Sequence, residues 1–468
     1  MLHGGGEHDR RPGWRAPAEH RQSGGAGLTR PSLKRQLESL FLEALEECSL
    51  GRVMASSVSR REDRLLAGGT ETDVGSPSSI LVAGIGKAAG PMCQALLPLL
   101  PQQRTSTVVV APKGFPPVPG LRWFAGGHPY PNEDSEKSAR HMLRAAGRLG
   151  PDALFICLLS GGGSAICEAP LDDTTTLSEM RELFEVLVTC GGGIVEVNII
   201  RKHLSLIKGG RLAEAAYPAR QLTLYVSDVP PEAPSSVASG PTMPDESTCE
   251  DSYRTAQRLG IVPRLPRRIR ERFEDRNLEE TPKPGSRVFS RSEWACLSDN
   301  AVALASLEGR ARGLGWLVER DLSVDDKPVE AAAEILLKRL ARLSRANPGR
   351  TVAVSSGGEL SSPVKGDGKG GRNQAFVLWA ARKLAAMGMR ATVLSAGTDG
   401  IDGNSPAAGA VADERTVLRA RKLRLDPADF DRRSDSFHFF RALGDSVTTG
   451  PTGNNVRDLR MLVAPPNG

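Results

Sequence analysis

The chain has 468 residues, a hydrophobic content of 39%, a charged content of 25% and a formal net charge of +6. This length allows two or three domains with sizeable cores, and no apolar run approaches the ~20 residues that a membrane-spanning helix needs. Residues 1–35 carry seven Lys/Arg against three Asp/Glu, so +4 of the charge lies there and only +2 in the rest of the chain. We therefore expect neither a nucleic acid nor a membrane as a partner.

Residues 1–31 are rich in glycine, proline and arginine and lack apolar periodicity, which predicts a disordered N-terminal tail. The arginines raise the question of a targeting segment, but acidic residues interrupt the stretch and it has neither an apolar signal core nor an amphipathic pattern. We therefore expect a cytoplasmic protein. The seven cysteines are never spaced CxxC, which is typical of free thiols in a reducing compartment. The histidine spacing indicates no metal site built from protein ligands alone.

From Ser32 onward, apolar segments of strand length alternate with amphipathic segments of helix length, which predicts an α/β protein with mainly parallel strands. A first helix covers 32–48, and a Gly/Ser/Thr-rich loop follows at 67–79. The other predicted helices are 135–149, 178–190, 196–217, 329–344, 373–387 and one that begins near Asn300. The predicted strands are 80–83, 107–114, 153–160, 222–229, 351–355 and 391–394.

Residues 275–288 differ from their surroundings in having two prolines, a glycine and many charges. We place a domain boundary there, which gives an N-terminal domain at 32–285 and a C-terminal domain at 286–468. The arginine-rich segment just before it interleaves acidic residues, so we interpret it as a solvated helix face and not as a nucleic-acid patch.

The segment GIGKAAG (84–90) is a strand–turn–helix with Lys87 at the helix N-terminus, where backbone N–H groups and a lysine can face an anion. Its GxGxxxG spacing is not the dinucleotide fingerprint, and the next strand ends in Lys113 where that fingerprint needs an acidic residue. It does not match a phosphate-binding P-loop either. A tight turn with a surface lysine is an equally good interpretation of the local sequence.

A second glycine loop, SGGGS, comprises Ser160, Gly161, Gly162, Gly163 and Ser164 and follows a buried strand. Successive glycines let backbone N–H groups converge on an anion. Each glycine costs about 0.5–1 kcal/mol of chain entropy relative to alanine, so a purely structural loop would rarely need three. We favour an anion site here.

Basic residues recur in RKHLSLIKGGR (201–211). Arg201 and Lys208 are seven residues apart, so on one continuous helix they share a face and could meet a carboxylate or a phosphate. A solvated helix face is the alternative. His203 is better interpreted as a packed or surface residue than as a base.

Acidic residues lie at the ends of two of the predicted strands: Asp228 at the end of 222–229, and Asp399 and Asp402 after 391–394. Carboxylates of this kind suit Mg²⁺, or could accept a hydroxyl proton. The loop 357–371 is rich in glycine and carries Lys365 and Lys369 just before Arg372, which suits an anion. Polar groups at the ends of such strands mark the usual ligand position of an α/β sheet.

Taken together, these segments resemble the class II glycerate kinases, also called the MOFRL family. The matching segments, in family order, are GIGKAAG, LLSGGGSA, IRKHLSLIKGGRLA, SDV…SGPT, PKPG, SDNAVALA, SGGEL…GKGGRNQ, SAGTDGIDG and TGPTGNNVRD. The resemblance covers the chain from about Ser32 to the C-terminus. It implies two Rossmann-like α/β/α domains with an active-site cleft between them. It also implies transfer of the ATP γ-phosphoryl group to the C2 hydroxyl of D-glycerate with Mg²⁺, giving 2-phospho-D-glycerate and ADP.

The resemblance also suggests roles for individual residues. Lys87 and Arg372 would bind the transferring phosphoryl group, and Asp228 or Asp399 would hold Mg²⁺ or accept the hydroxyl proton. The SGGGS loop and Arg201 would hold the glycerate carboxylate or a phosphate. The further phosphate-binding or substrate-binding candidates are Lys208, Gly370, Gly371 and Asn373. We expect the cleft to close on its ligands.

This sequence departs from the family at Pro231, Glu232 and Ala233, where family members commonly have Gly-Asp, so metal ligation by that loop could come only from Glu232. One alternative function is an NAD(P)-dependent hydroxypyruvate reductase, and another is a non-catalytic sugar-acid-binding protein. We expect a monomer or a homodimer.

Overall fold

The structure, a computed structural model, describes residues 31–466. Apart from Pro31, the predicted tail at 1–31 therefore lies outside the described residues. The helices are α1 (Leu33–Glu47), α2 (Leu50–Ser57), α3 (Ala89–Leu96), α4 (Glu133–Ala146), α5 (Gly163–Ile166), α6 (Leu177–Val188), α7 (Ile194–His203), α8 (Arg211–Ala216), α9 (Cys249–Arg258), α10 (Arg267–Glu274), α11 (Asn300–Gly313), α12 (Val329–Ala346), α13 (Arg372–Met387), α14 (Thr416–Lys422), α15 (Pro427–Arg432) and α16 (Ser436–Leu443). No helix within residues 31–466 is both long and apolar enough to cross a membrane.

The strands form a small antiparallel sheet, β1–β3, and two six-stranded sheets. They are β1 (Val58–Arg61), β2 (Arg64–Ala67), β3 (Thr70–Asp73), β4 (Ile80–Ile85), β5 (Thr105–Pro112), β6 (Trp123–Gly126), β7 (Leu154–Leu159), β8 (Arg220–Val226), β9 (Ser292–Ser298), β10 (Leu317–Arg320), β11 (Val352–Gly357), β12 (Thr392–Gly397), β13 (Gly409–Asp413), β14 (Ser446–Val447) and β15 (Asp458–Ala464). The loop predicted at 67–79 therefore contains a strand, β3, which pairs with β2.

The first six-stranded sheet is parallel throughout, in the order β6-β5-β4-β7-β8-β9. Its central strands are buried on both faces, as parallel sheets covered by helices require. In β4, Ile80 and Val82 pack on the side of α3, while Leu81 and Ala83 pack on the side of α4. The carboxyl ends of β4, β7 and β8 consequently lie next to one another at one edge.

The second sheet is mixed, in the order β10-β11-β15-β12-β13-β14. Only β10 and β11 pair in parallel, so the prediction of mainly parallel strands is wrong for this sheet. The reason is β15, which returns from the end of the chain and inserts antiparallel between β11 and β12. Both of those strands keep the same direction, and the beginning of β15 lies where they end: Leu459 pairs with Gly357, and Asp458 with Gly397.

The two sheets share part of their cores. Helix α1 contacts α11, β12 and β13, and one buried cluster includes Phe41 of α1, Val82 of the first sheet and Leu394 of the second. Strand β9 lies beyond the proposed boundary at 285/286, yet it is the edge strand of the first sheet. The boundary itself stays a prediction.

The helix predicted over 196–217 is two helices, α7 and α8, separated by a sharp turn. Gly209 and Gly210 have φ values of +59° and +86°, a left-handed conformation that ends a helix and that glycine adopts most readily. The turn directs Lys208 inward, where the side chain is buried.

We predict that Gly210→Ala lowers the free energy of unfolding by at least about 2 kcal/mol, because the left-handed conformation alone costs a residue with a Cβ about 1–2 kcal/mol. The added Cβ would also lie 2.8 Å from Phe289 Cζ and 3.0 Å from the Met243 carbonyl oxygen. Gly309→Ala in α11 is the control, because its Cβ meets nothing within 4 Å. Helix propensity should make that variant about 0.5–1 kcal/mol more stable. Urea unfolding measures both, and a similar effect of the two substitutions would contradict the prediction.

Candidate active site

The carboxyl edge of the first sheet brings Lys87, the SGGGS loop and Asp228 together. The backbone N–H of Lys87 donates to the Gly161 carbonyl oxygen at 3.0 Å, and Ser160 Oγ accepts from the N–H of Ala88 at 2.9 Å. These bonds hold the two glycine loops against each other. Asp228 follows β8 and lies directly against Gly161. We call this group of residues the first wall.

The glycines of the SGGGS loop are explained by close packing. A Cβ at Gly161 would lie 2.2 Å from Asp228 Oδ2, and one at Gly163 would lie 2.5 Å from Ala238 Cβ. Gly162 has a φ of +81°, and a Cβ there would approach Lys87 Cε at 3.2 Å. Close packing at Gly161 and Gly163 and the left-handed conformation at Gly162 therefore require glycine at all three positions, whether or not an anion binds. The anion-binding role of the loop stays a prediction.

The carboxyl ends of β11 and β12 form a second wall around Arg372, the first residue of α13. Its guanidinium contacts Asp458 through two hydrogen bonds, Nε to Oδ2 at 2.6 Å and Nη2 to Oδ1 at 3.1 Å. Nη2 also lies 2.9 Å from Glu359 Oε1. Burial opposes the charge on Arg372, but Asp458 and Glu359 outweigh it and raise its pKa. Arg372 is therefore a permanently charged, oriented cation.

Electrostatic coupling joins the two walls across a cleft. Burial raises the pKa of Asp399, the charge of Asp458 raises it further, and Lys87 and Arg372 oppose the rise. Burial also raises the pKa of Asp228, against the pull of Lys87. The pKa of Glu359 is raised by burial and by Asp458 and Asp228. The charges of the four residues predicted to be catalytic are thus linked, because Lys87 acts on both Asp228 and Asp399, and Arg372 acts on Asp399.

Two cavities adjoin this cluster. One, of about 730 Å³, is lined by Ser164 and Asp228 of the first wall, by His128 and Arg201 beside it, and by Glu359. The other, of about 430 Å³, is lined by Gly370, Gly371, Arg372 and the glycine-rich loop before them. Of the predicted binding residues, Gly162, Ser164 and Arg201 line the first cavity, and Gly370 and Gly371 line the second.

Arg201 is buried at the end of α7, so the alternative of a solvated helix face is wrong for this residue. Its guanidinium lies 4.6 Å from the centre of the Phe184 ring. Its Nε is buried and has no hydrogen-bond partner among the described residues. Burial lowers the pKa of Arg201 to about 10, against the attraction of Glu168.

Lys208 does not face the cleft, in contrast to the prediction that it binds substrate or phosphate. It is fully buried and forms an ion pair with Glu168, which also accepts from Ser205 Oγ at 2.5 Å. The helix break after α7 separates it from the face that carries Arg201.

Asn373 and Asp402 also have internal roles. Asp402 is buried and caps α13, accepting from the backbone N–H groups of Asn373 at 3.0 Å and Gln374 at 2.9 Å. Burial raises the pKa of Asp402 to about 6 despite these bonds. Asn373 is buried and accepts from Ser395 Oγ at 2.5 Å. Neither side chain is available to a ligand, whereas the sequence analysis offered Asn373 for phosphate and Asp402 for a metal. Glu232, at the departure from the family pattern, is exposed.

Glu359, Asp458 and His128 are functional candidates that the sequence motifs did not indicate. Glu359 and Asp458 lie inside the quoted segments SGGEL and GNNVRD, so their motifs were visible but their positions at the cleft were not. His128 follows β6, and burial together with the charges of Lys87 and Arg201 lowers its pKa to about 4. It is therefore a neutral imidazole at neutral pH.

A cluster away from the cleft brings ligand atoms of His203, Cys249 and Glu280 within 4.8 Å of one another. Sequence spacing could not reveal it, because the three residues come from separate segments. Lys283 Nζ lies 2.6 Å from Glu280 Oε2, so a cation there would have to replace this ion pair.

Comparisons with known proteins give consistent matches. A model of a domain of unknown function, DUF4147, matches residues 36–274, and the MOFRL family model matches residues 352–458. D-glycerate 2-kinase of Thermotoga maritima is 33% identical over 402 residues, covering 81% of this chain and 89% of that protein. A putative hydroxypyruvate reductase of Agrobacterium vitis is 37% identical over 405 residues, covering 82% and 86%. The crystal structure of a glycerate kinase from Thermotoga maritima matches with a TM-score of 0.78 at 30% identity, covering 92% and 99%.

We predict that Lys208→Met lowers the free energy of unfolding by about 3–5 kcal/mol, because it leaves the buried Glu168 carboxylate without its cation. The double variant Lys208→Met/Glu168→Gln removes both charges and should recover most of the loss. Urea unfolding at neutral pH measures the three proteins. If the single and double variants were equally stable, the unpaired Glu168 carboxylate would not be the cause of the destabilisation.

Proposed function

The chain belongs to the MOFRL-family glycerate kinases, and within that family we propose that it transfers the γ-phosphoryl group of ATP to the C2 hydroxyl of D-glycerate. The products are ADP and 2-phospho-D-glycerate. The observation that supports this most strongly is that the charges of Lys87 and Arg372, from opposite walls, both act on Asp399. Phosphoryl transfer needs little covalent chemistry from the protein; it needs positioned cations around a transferring group whose charge shifts.

Lys87 and Arg372 are the residues that would bind the transferring phosphoryl oxygens. Asp458 is almost fully buried and fixes one edge of the Arg372 guanidinium, whereas about a third of the Glu359 side chain is exposed. A phosphoryl oxygen can therefore replace Glu359 at Nη2 while the pair with Asp458 stays intact. Arg372 would then keep its orientation through the reaction.

The carboxylates of the cleft offer the donor chemistry that a magnesium ion prefers. Asp228, Glu359 and Asp399 supply oxygen ligands of the kind that Mg²⁺ prefers, and burial raises the pKa of all three. A divalent cation nearby would offset the cost of burying these negative charges and would reduce the repulsion between them. Of these, we propose either Asp228 or Asp399 as the ligand. When bound, Mg²⁺ supplies positive charge to the nucleotide phosphates.

The C2 hydroxyl of glycerate must lose its proton as it attacks phosphorus. Asp228 and Asp399 are both suited to receive it, because a carboxylate with a raised pKa is a stronger base than one in water. One of the two would serve as base and the other as metal ligand.

Because the reacting groups come from both walls, we propose that the cleft closes on its ligands and excludes water. The radius of gyration measured by small-angle X-ray scattering should decrease when D-glycerate and a non-hydrolysable Mg-ATP analogue are added together. Each ligand alone should give a smaller decrease. An unchanged radius with both ligands bound would rule out closure.

We predict that Lys87→Ala reduces kcat/KM for D-glycerate phosphorylation by at least about 10³-fold, the scale on which cations act at a transferring phosphoryl group. Lys113→Ala is the matched control, because this exposed lysine follows the neighbouring strand β5. It should change kcat/KM by less than about threefold. A coupled ADP assay measures turnover, and urea unfolding verifies that both variants fold. A folded Lys87→Ala protein with near-wild-type turnover would contradict the role of Lys87.

The name of the Agrobacterium vitis relative makes hydroxypyruvate reduction the second candidate. The same preparation should therefore be tested with NADH and NADPH against hydroxypyruvate, and the phosphorylated product resolved into 2- and 3-phosphoglycerate. ADP release that depends on D-glycerate supports the kinase. Cofactor oxidation without such release would support the reductase, and neither activity would favour a sugar-acid-binding protein.

A further inference from the structure

The cluster of His203, Cys249 and Glu280 joins three separate segments of the first domain. His203 is the last residue of α7, Cys249 is the first residue of α9, and Glu280 lies between α10 and β9. Their ligand atoms, one from each side chain, lie within 4.8 Å of one another. None of the three residues lines either cavity of the candidate active site, so phosphoryl transfer does not account for the cluster.

The imidazole of His203 is fully buried and is oriented with one ring nitrogen free for a ligand. Its Nδ1 lies 2.8 Å from the carbonyl oxygen of Ile199, so Nδ1 carries a proton and donates it to that acceptor. Burial lowers the pKa of His203, which keeps the ring neutral near pH 7 and leaves a lone pair on Nε2. A neutral imidazole whose other N–H donates to a backbone carbonyl is the form in which histidine binds metals.

The free nitrogen faces a carboxylate oxygen. Nε2 of His203 has no hydrogen-bond partner among the described residues and lies 3.7 Å from Glu280 Oε2. In the neutral ring both atoms are acceptors, so no hydrogen bond can join them. Metal–ligand distances of about 2.0–2.2 Å and tetrahedral angles place two ligand atoms about 3.3 Å apart, close to the separation here. The pair therefore has the chemistry and nearly the spacing of two ligands of one cation.

Cys249 supplies a third ligand beside this pair. Its backbone N–H donates to Glu280 Oε1 at 2.8 Å, which holds the carboxylate close to the thiol. Burial, and next the charge of Glu280, raise the pKa of Cys249 to about 11, so the thiol is protonated in the free protein. A transition metal bound to sulfur reverses this and displaces the proton.

We propose that His203, Cys249 and Glu280 bind Zn²⁺ and that the ion connects the end of α7 to the start of α9 and to the segment before β9. Imidazole, thiolate and carboxylate are the ligands that Zn²⁺ takes in proteins, and three of them leave its fourth position to water. Mg²⁺ and Ca²⁺ prefer oxygen ligands, so this site is distinct in chemistry from the carboxylates of the cleft. The proposal does not depend on the proposed function.

Binding requires two changes in the cluster. The Sγ–H bond of Cys249 breaks and its proton leaves to solvent, so the sulfur binds as a thiolate. Lys283, whose Nζ lies 2.6 Å from Glu280 Oε2, gives up that carboxylate and keeps its hydrogen bonds to Thr281 Oγ1 and to the Ser247 carbonyl oxygen. About half of the Glu280 side chain is exposed, which gives an ion access from solvent.

Titration of the full chain, without an affinity tag, with Co²⁺ in a phosphine reductant tests the site. Co²⁺ bound to a thiolate absorbs in the near ultraviolet, whereas Co²⁺ bound only to imidazole or carboxylate does not. The signal therefore separates this cluster from the cleft and from His3, His8 and His20. We expect the absorption to saturate at one Co²⁺ per chain and to disappear when Zn²⁺ is added, because small sites that contain a thiolate favour Zn²⁺.

Cys249→Ser should abolish the absorption and weaken Zn²⁺ binding by at least about 100-fold, since loss of an outer-shell partner alone costs about 10–100-fold. Cys296→Ser is the matched control. Cys296 is also a half-buried free cysteine, but its Sγ donates to the Ser298 carbonyl oxygen, and its loss should change neither quantity. Competition with a chromophoric zinc chelator measures the affinities.

Lys283→Met should have the opposite effect and tighten Zn²⁺ binding by about three- to fivefold, because a partly exposed ion pair no longer competes for Glu280. This gain separates ligand competition from general damage to the fold, which would weaken binding. Zn²⁺ should also raise the urea midpoint of wild type but not that of Cys249→Ser, since the ion binds the folded chain.

Four results would each overturn the proposal. They are a wild-type protein that binds no Co²⁺ up to millimolar concentration, Co²⁺ binding without thiolate absorption, an absorption that survives Cys249→Ser or is equally lost in Cys296→Ser, and a Zn²⁺ affinity that Lys283→Met does not increase. None of these measurements involves turnover, so kinase activity can be present or absent without affecting the outcome.

Discussion

The buried carboxylate of Asp458 is the interaction on which the second wall depends. It begins β15, the strand that inserts antiparallel between β11 and β12, so it lies at the edge where both of those strands end. Arg372 binds it through two hydrogen bonds, and Arg460 Nη2 donates to it at 3.2 Å. Arg460 also donates to two carbonyl oxygens, from Nη1 to Gly357 and from Nη2 to Gly358. A carboxylate that is 1% exposed is stable there only because two guanidinium groups surround it. The start of α13 and the ends of three strands are thereby fixed to one another.

Around this fixed pair, the remaining charges of the cleft are incompletely compensated in the free protein. Burial and neighbouring carboxylates raise the pKa of Asp399 and Glu359, which means that the site disfavours their negative charge. The buried Nε of Arg201 has no hydrogen-bond partner among the described residues. Uncompensated groups cost folding free energy that ligands can recover. For Asp399 and Glu359, a cation bound in the cleft would supply the missing partner.

The parts of this site that local sequence encodes were predictable, and the parts that depend on long-range pairing were not. The strands β4, β7, β8, β11 and β12 and the loops after them follow from apolar runs that end in Gly, Ser or Asp. Asp458 could not be placed, because its position at the cleft depends on β15 entering a sheet far from it in sequence. Local sequence does not decide whether a polar residue beside a glycine turn points into the cleft or into the core. The prediction that Lys208 and Asn373 bind ligands assumed the cleft. The glycine turn at 209–210 and the cap by Asp402 decide it in the folded chain.

The glycines of the first wall allow charged and polar side chains to pack directly against the backbone of the loop. A side chain at Gly161 would displace Asp228, and one at Gly162 would crowd both Lys87 and His128. The loop thus lets a cation, a carboxylate and a neutral imidazole lie around one small space. Glycine-rich loops are often interpreted as anion-binding backbone. Here the charged groups that pack against the loop already leave no room for side chains. The loop therefore keeps the space between these groups open.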